Sequence, residues 1–420
     1  MKRIQLTPRP DWQQKVESAG LTFHSPAAMA PQPYWEESAA YEFTAAEIDT
    51  LEAAGNELQT MCLAAAQHVI DKQRYNELAI PPAAIPLIEW AWNQEPPALY
   101  GRFDISWAGA QSGQPPKLLE YNADTPTSLV EAAVIQWSWL EDMTGNLPVF
   151  AKPDQFNSIH DRIIAKWKDV KDYLTEPVYF AGLQADAPDP ATALDYAEDY
   201  LTVTYLQDTA NQAGLDTRAI ALQDIGWNQE RLAFVDTDPA ENQISSLFKL
   251  YPWESMVVEE FGPAALSTYH QVTWIEPIWK MLLSNKGILP ILWELYPNHP
   301  LLLEAHFEAS ASAWTTVGAP RTGSDMTSYV RKPLHSREGA NIQIVRPNAQ
   351  LVETSGPYGD GPFIRQAIAP DAIFPGRGGA PRYPVLGLWM IDQDCSGLGI
   401  RESGGPITDN LSSFIPHFFV

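Results

Sequence analysis

The chain has 420 residues, with 52 acidic against 27 basic side chains and a formal net charge of −25. Nucleic acid and anionic membrane surfaces would meet long-range repulsion from such a field, so neither is expected as a partner. No apolar run approaches the roughly 18 residues of a membrane-spanning helix, and Cys62 and Cys395 stand far apart without metal-ligand spacing. A cytoplasmic protein with free thiols and two or three packed subdomains is the expectation.

In chain order, residues 1–98 are rich in alanine and helix formers. The clearest amphipathic stretch runs from Phe43 to Ile70, with Thr44 and Glu47 spaced as a capping box. Next come Tyr100-Gly101-Arg102-Phe103-Asp104-Ile105-Ser106 and Leu118-Leu119-Glu120-Tyr121-Asn122-Ala123-Asp124, each alternating polar with apolar. The Gly- and Pro-containing gap from Ala110 to Pro116 predicts an antiparallel hairpin, and a register centred near Ser112 sets Asp104 opposite Glu120 and Arg102 opposite Asn122. Two facing carboxylates repel unless positive charge lies between them. A magnesium ion held by Asp104, Glu120 and the Asn122 amide oxygen would supply it. The alternative is a solvated polar face in which Arg102 neutralises its neighbours. Ser128 and Glu131 fit a capping box for a helix over Leu129–Met143, whose free N–H groups and nearby hydroxyls would offer an anion site.

From about residue 155 to 275 the pattern changes. A strand at Pro177–Ala181, a helix over Tyr196–Gly214 and a strand at Thr217–Leu222 predict a parallel α/β unit, with Gly182–Pro190 as an exposed tip. Trp274–Leu283 reads as an apolar helix that places Lys286 at its C-terminal end, where a lysine is an ordinary cap. Lys332 ends a strand over Thr327–Lys332, before a small-residue loop, His335–Asn341, that can fold over phosphates. A short strand follows at Phe363–Ala367, and Tyr383–Ile391 with Leu398–Arg401 makes a second hairpin. P-loop, zinc-protease and serine-hydrolase motifs are missing, and Gly397-Leu398-Gly399 lacks the last glycine of a dinucleotide fingerprint.

The Arg-x-Asp strand and Glu120-Tyr121-Asn122-Ala123-Asp124 carry a resemblance. So do Pro33-Tyr34-Trp35-Glu36-Glu37, the stretch from Lys286 to Trp293, and Tyr329-Val330-Arg331-Lys332-Pro333. Together, from about Arg9 to Arg401, they resemble the glutathionylspermidine synthase family. The resemblance implies an α/β (α+β) chain with an ATP-grasp fold and an associated pre-ATP-grasp domain. Its expected regions are 1–145 (helical, with the acidic hairpin), 146–275 (substrate domain) and 276–420 (nucleotide-binding lobe and lid). It implies ATP and Mg²⁺ as cofactors and an acid–amine ligase that forms an amide through an acyl phosphate.

Residue by residue, the resemblance assigns Lys286, Lys332, Gly339 and Gln366 to the nucleotide and Asp104, Glu120 and Asn122 to the metal. Thr125 and Thr127 would orient the acid, and Arg102 and Arg401 would stabilise the acyl phosphate. The acid would be glutathione or another peptide, and the amine a polyamine. Two other functions stay open at this stage: a catalytically silent ATP-binding module, and a hydrolase using Asp104 and Glu120 as paired carboxylates.

Overall fold

A computed structural model describes residues 1–184, 193–308 and 326–420. The predicted capping box is formed: Glu47 N donates to Thr44 Oγ1 at 3.3 Å and Thr44 N to Glu47 Oε2 at 3.0 Å, opening a helix over Ala45–Asp71. Its inner face buries Leu51, Leu58, Cys62 and Val69 completely. At roughly 1.5–3 kcal/mol per buried large apolar side chain, this face is a principal anchor of the core.

That helix packs on a six-stranded sheet whose central path is Ser413–Phe414, Asp394–Ser403, Pro381–Ile391, Tyr100–Ser106 and Lys117–Asn122. The acidic hairpin therefore shares a sheet with strands from the end of the chain. Alternation decides which side chains go where. Phe103 and Ile105 join the core, and Phe103 stacks on Tyr121 at 3.9 Å between ring centroids, leaving the even-numbered polar residues on the opposite face. The second hairpin, Pro381–Ile391 with Asp394–Ser403, closes through Asp392 and Gln393, both at positive φ, as a two-residue turn of the primed type requires. Gly397 and Gly399 lie inside its second strand, which excludes a dinucleotide loop there.

The predicted α/β unit is present. Val178–Gly182 pairs in parallel with Thr217–Ala221 on one side and Ser246–Leu250 on the other, and the intervening helix spans Ala193–Gln212. Most of the predicted tip Gly182–Pro190 lies outside the described residues. Because successive strands go to opposite sides of Val178–Gly182, the strand order reverses there, and such a point opens a crevice at the carboxyl ends of the strands. A five-stranded antiparallel sheet carries Tyr329–Pro333 and Phe363–Gln366, and a small sheet joins Lys2–Gln5 and Ala39–Phe43 to His417–Phe419, tying the two chain ends together.

One predicted helix is corrected, and a second keeps its span but not its cap. Thr273–Ile275 is a strand paired with Ser246–Leu250, followed by a 3₁₀ turn over Ile278–Leu282. Lys286 is consequently no C-terminal cap; it stands two residues before the helix Ile288–Leu295. The helix after the acidic hairpin has the predicted span: it opens at Leu129, passes through a π-helical turn at Glu131–Ile135 and continues as α-helix over Gln136–Met143. Ser128 has φ +65° and does not cap it, because its hydroxyl is turned to Glu198 instead.

Candidate active site

The predicted register is observed, Asp104 opposite Glu120 and Arg102 opposite Asn122, with a bulge immediately after Asp104. These four side chains line a cavity of about 440 Å³, and Thr125, Thr127, Lys286, Lys332, Gly339, Gln366 and Arg401 line it too. Every residue singled out in the sequence as a site residue thus opens on one space. Its lining includes Leu183, Tyr251 and Pro252, which follow the carboxyl ends of two parallel strands at the reversal point.

At the hairpin end the charges are paired. Arg102 grips Asp104 with two donors, Nε to Oδ1 at 2.7 Å and Nη2 to Oδ2 at 3.1 Å, and its third nitrogen donates to the Thr127 carbonyl at 2.8 Å. The guanidinium also lies over the Trp389 ring at 5.6 Å. Gly387, across the sheet from Asp104, leaves the space this side chain fills, since a Cβ there would come within 2.8 Å of Arg102 Cδ. Lys286 Nζ lies 2.9 Å from Glu120 Oε2, and Lys332 donates to the Leu119 carbonyl at 3.0 Å. Arg102, Lys286 and Lys332 therefore offset the repulsion between the facing carboxylates, which does not by itself require an ion.

The two carboxylates respond differently. Burial raises the pKa of Asp104, opposed by Arg102; burial also acts upward on Glu120, but Lys286 and Lys332 overcome it and hold that group at about 2. Lys332 is brought down to about 8 by desolvation, with Glu120 working against the fall. Among the described residues no three His, Cys, Asp or Glu side chains converge as a metal set, so a cation here would rest on two carboxylates and an amide.

The supporting geometry is built from fully buried groups. Asp124 pairs with Lys249 at 2.8 Å and accepts from Trp253 N at 2.9 Å, which fixes the end of the acidic strand to the parallel sheet. Removing one partner of such a pair costs about 3–5 kcal/mol. In the phosphate-loop candidate, Gly339 has φ +68° and an added Cβ would run into the Thr408 carbonyl, so only glycine fits. Gln366 is buried and donates to the Leu118 carbonyl at 3.1 Å. Arg401 donates to the Ser412 and Asp409 carbonyls and to Ser128 Oγ at 3.2 Å.

The opposite wall escaped the sequence reading. Asp195, Glu198 and Asp199 of the helix Ala193–Gln212 line the cavity with Glu338, and Asn410 bridges Asp195 and Glu338. Their i, i+3, i+4 spacing, which puts three carboxylates on one helix face, was the available signal. Burial, with neighbouring carboxylates adding to it, raises Asp199 to about 8 and Glu338 to about 7. The anion site expected after the hairpin is thus walled by acids.

A family model described as glutathionylspermidine synthase preATP-grasp matches residues 3–420. The chain belongs to the glutathionylspermidine synthase family. It is 39% identical, over the whole of both chains, to a Haemophilus influenzae protein named "Putative acid--amine ligase". It is 26% identical to trypanothione synthetase of Crithidia fasciculata and 25% identical to the bifunctional glutathionylspermidine synthetase/amidase of Escherichia coli, covering 84% and 78% of this chain. It spans about half of those two longer proteins, 52% and 51% of their lengths. A glutathione synthetase-like effector from Globodera pallida shares the fold, with a TM-score of 0.58 at 10% identity over 98% of this chain and 95% of that one. The ATP-grasp-related fold that the resemblance implies is borne out. Among the described residues no helix is long and apolar enough to cross a membrane.

Proposed function

We propose that this protein is an ATP-dependent carboxylate–amine ligase that activates an acid as its acyl phosphate and joins it to a cationic amine. One observation carries the reading: a single cavity is lined both by Arg102, Lys286 and Lys332 with two carboxylates and by the acids Asp195, Glu198, Asp199 and Glu338. The first group suits phosphates, and the second suits an ammonium group. Glutathione or another peptide as the acid and a polyamine as the amine are the substrates in keeping with the relatives' names.

Lys286 and Lys332 bind the nucleotide phosphates, the loop around Gly339 covers them, and Gln366 borders the base. Arg102, held flat by Asp104 and Trp389, presents a planar donor pair to the acyl phosphate that lysine could not copy. Thr125 and Thr127 orient the acid, with Arg401 as a second guanidinium beside them. Asp104, Glu120 and the Asn122 amide oxygen form an all-oxygen donor set on one face and so fit Mg²⁺ once the amide is turned and the lysine pairs are exchanged for phosphate. When bound, that ion would neutralise charge on the transferring phosphoryl group. The buried free cysteines fit a reducing, cytoplasmic compartment.

The test is phosphate release from ATP with Mg²⁺, glutathione and spermidine, extended over other acids and amines, with the product weighed by mass spectrometry. Release that requires both acid and amine, with one amide per phosphate, is expected. Nucleotide binding without turnover under every pairing would leave a silent module and overturn the reading.

A further inference from the structure

We propose that Glu198, Ser128, Tyr34 and Glu131 form a proton path that carries the amine's surplus proton out of the cavity to a carboxylate buried behind it. The proposal rests on the ligase reading above, because that reaction creates the need. When an acyl phosphate meets an ammonium, the C–N bond forms and the C–O bond to phosphate breaks. The nitrogen gives up two protons; one leaves with the phosphate as HPO₄²⁻, and the other must be accepted by something else. Polyamine nitrogens are protonated at neutral pH, as the usual amine range implies.

Glu198 and Ser128 line the cavity, whereas Tyr34 and Glu131 stand behind them. Ser128 Oγ donates to Glu198 Oε1 at 2.9 Å, lies 3.2 Å from the Tyr34 hydroxyl, and that hydroxyl donates to Glu131 Oε1 at 2.7 Å. All four residues are more than nine-tenths buried, so water does not short-circuit the chain. Ser128 reaches both neighbours because its backbone takes the left-handed conformation. Among the described residues neither carboxylate has a Lys, Arg or His nitrogen within ion-pair distance.

The groups facing Glu131 are Tyr34 from the N-terminal segment, Glu198 from the helix Ala193–Gln212 and Arg401 from the strand Asp394–Ser403. Burial lifts Glu131 to about 7, Glu198 adds to the rise, and Tyr34 and Arg401 oppose it. Tyr34 is itself held well above its ordinary range by burial, so it passes a proton as a neutral hydroxyl and stores none. When Glu198 takes the proton, its new O–H turns to Ser128, Ser128 hands its proton to Tyr34, and Tyr34 hands its own to Glu131. After product leaves, the same steps run backward into the open cavity. Tyr34 and Glu131 lie behind the cavity wall and act through Glu198 and Ser128, which line it, so they are positioning residues for proton transfer.

The test is the pH profile of kcat for amide formation from glutathione and spermidine with ATP and Mg²⁺. In the wild type kcat should rise through neutral pH as the acceptor empties. Glu131→Gln should lower kcat on the order of 100-fold and erase that rise, with KM for ATP unchanged and partial rescue by added imidazole. Tyr34→Phe, which keeps both carboxylates and breaks the chain between them, should do the same and serves where Glu131→Gln does not fold. Variants that fold, retain the wild-type kcat and keep the rise overturn the path while leaving the ligase intact. Variants that only lose thermal stability, with the profile unchanged, overturn it equally. A wild type that makes no amide from any acid and amine pair overturns the ligase reading and the path with it.

Discussion

The hairpin and the helix Ala193–Gln212, which both line the cavity, answer the same problem, acids packed close together, in opposite ways. At the hairpin each carboxylate has a cation on it: Asp104 with Arg102, and Glu120 with Lys286. On the helix Ala193–Gln212 the acids face the cavity with hydrogen-bond donors such as Asn410 and Ser128, and burial pushes Asp199 up with Arg337 opposing the rise. The first wall is balanced until a ligand exchanges its partners. The second sets four carboxylates against Arg337 and keeps an excess of negative charge until a ligand supplies positive charge. On the proposed reading, a chain of net charge −25 takes a polyanion and a polycation into one cavity, and grouping its cations near the hairpin carboxylates serves that end.

The largest effect expected from breaking this contrast is at the balanced wall. Asp104→Asn or Glu120→Gln should cut ATP turnover on the order of 1,000-fold while circular dichroism shows the fold retained. Arg102→Lys keeps the charge and loses the fork, so kcat should fall on the order of 100-fold in steady-state assays, with less change in KM for ATP. At the unbalanced wall, Asp195→Asn or Asp199→Asn should raise KM for the amine about tenfold and leave KM for ATP alone. The smallest effect is on stability against pH. Asp199 at about 8 and Glu338 at about 7 have folded-state values above the ordinary carboxylate range. Their contribution is complete below that range and is lost as pH rises through 7 to 8. Melting temperature should therefore fall between pH 6 and pH 9, recover on adding spermidine at the upper end, and vary less in Asp199→Asn.

Much of this was legible because alternation and caps are local. Arg102, Asp104, Glu120 and Asn122 could be set in register from a turn-rich gap and two alternating runs, and Thr44 with Glu47 announced the long helix. What could not be read depended on distant partners. Trp274 looked helical until its pairing with Leu247 made it a strand, and that pairing moved Lys286 from a helix end to the side of Glu120. Ser128 and Glu131 matched a capping box, yet Glu198, 70 residues from Ser128, takes the serine hydroxyl and Tyr34, 97 residues from Glu131, takes its carboxylate. The space that Gly387 leaves for Arg102 likewise comes from a strand nearly 300 residues away, which no local pattern reveals.

The central claim is that a substrate carboxylate is activated by phosphorylation in this cavity, and heavy-oxygen label in that carboxylate tests it most directly. With glutathione labelled in both oxygens of its reacting carboxylate, together with spermidine, ATP and Mg²⁺, the released phosphate should carry one labelled oxygen per amide formed. Amide accumulating alongside unlabelled phosphate would contradict the account.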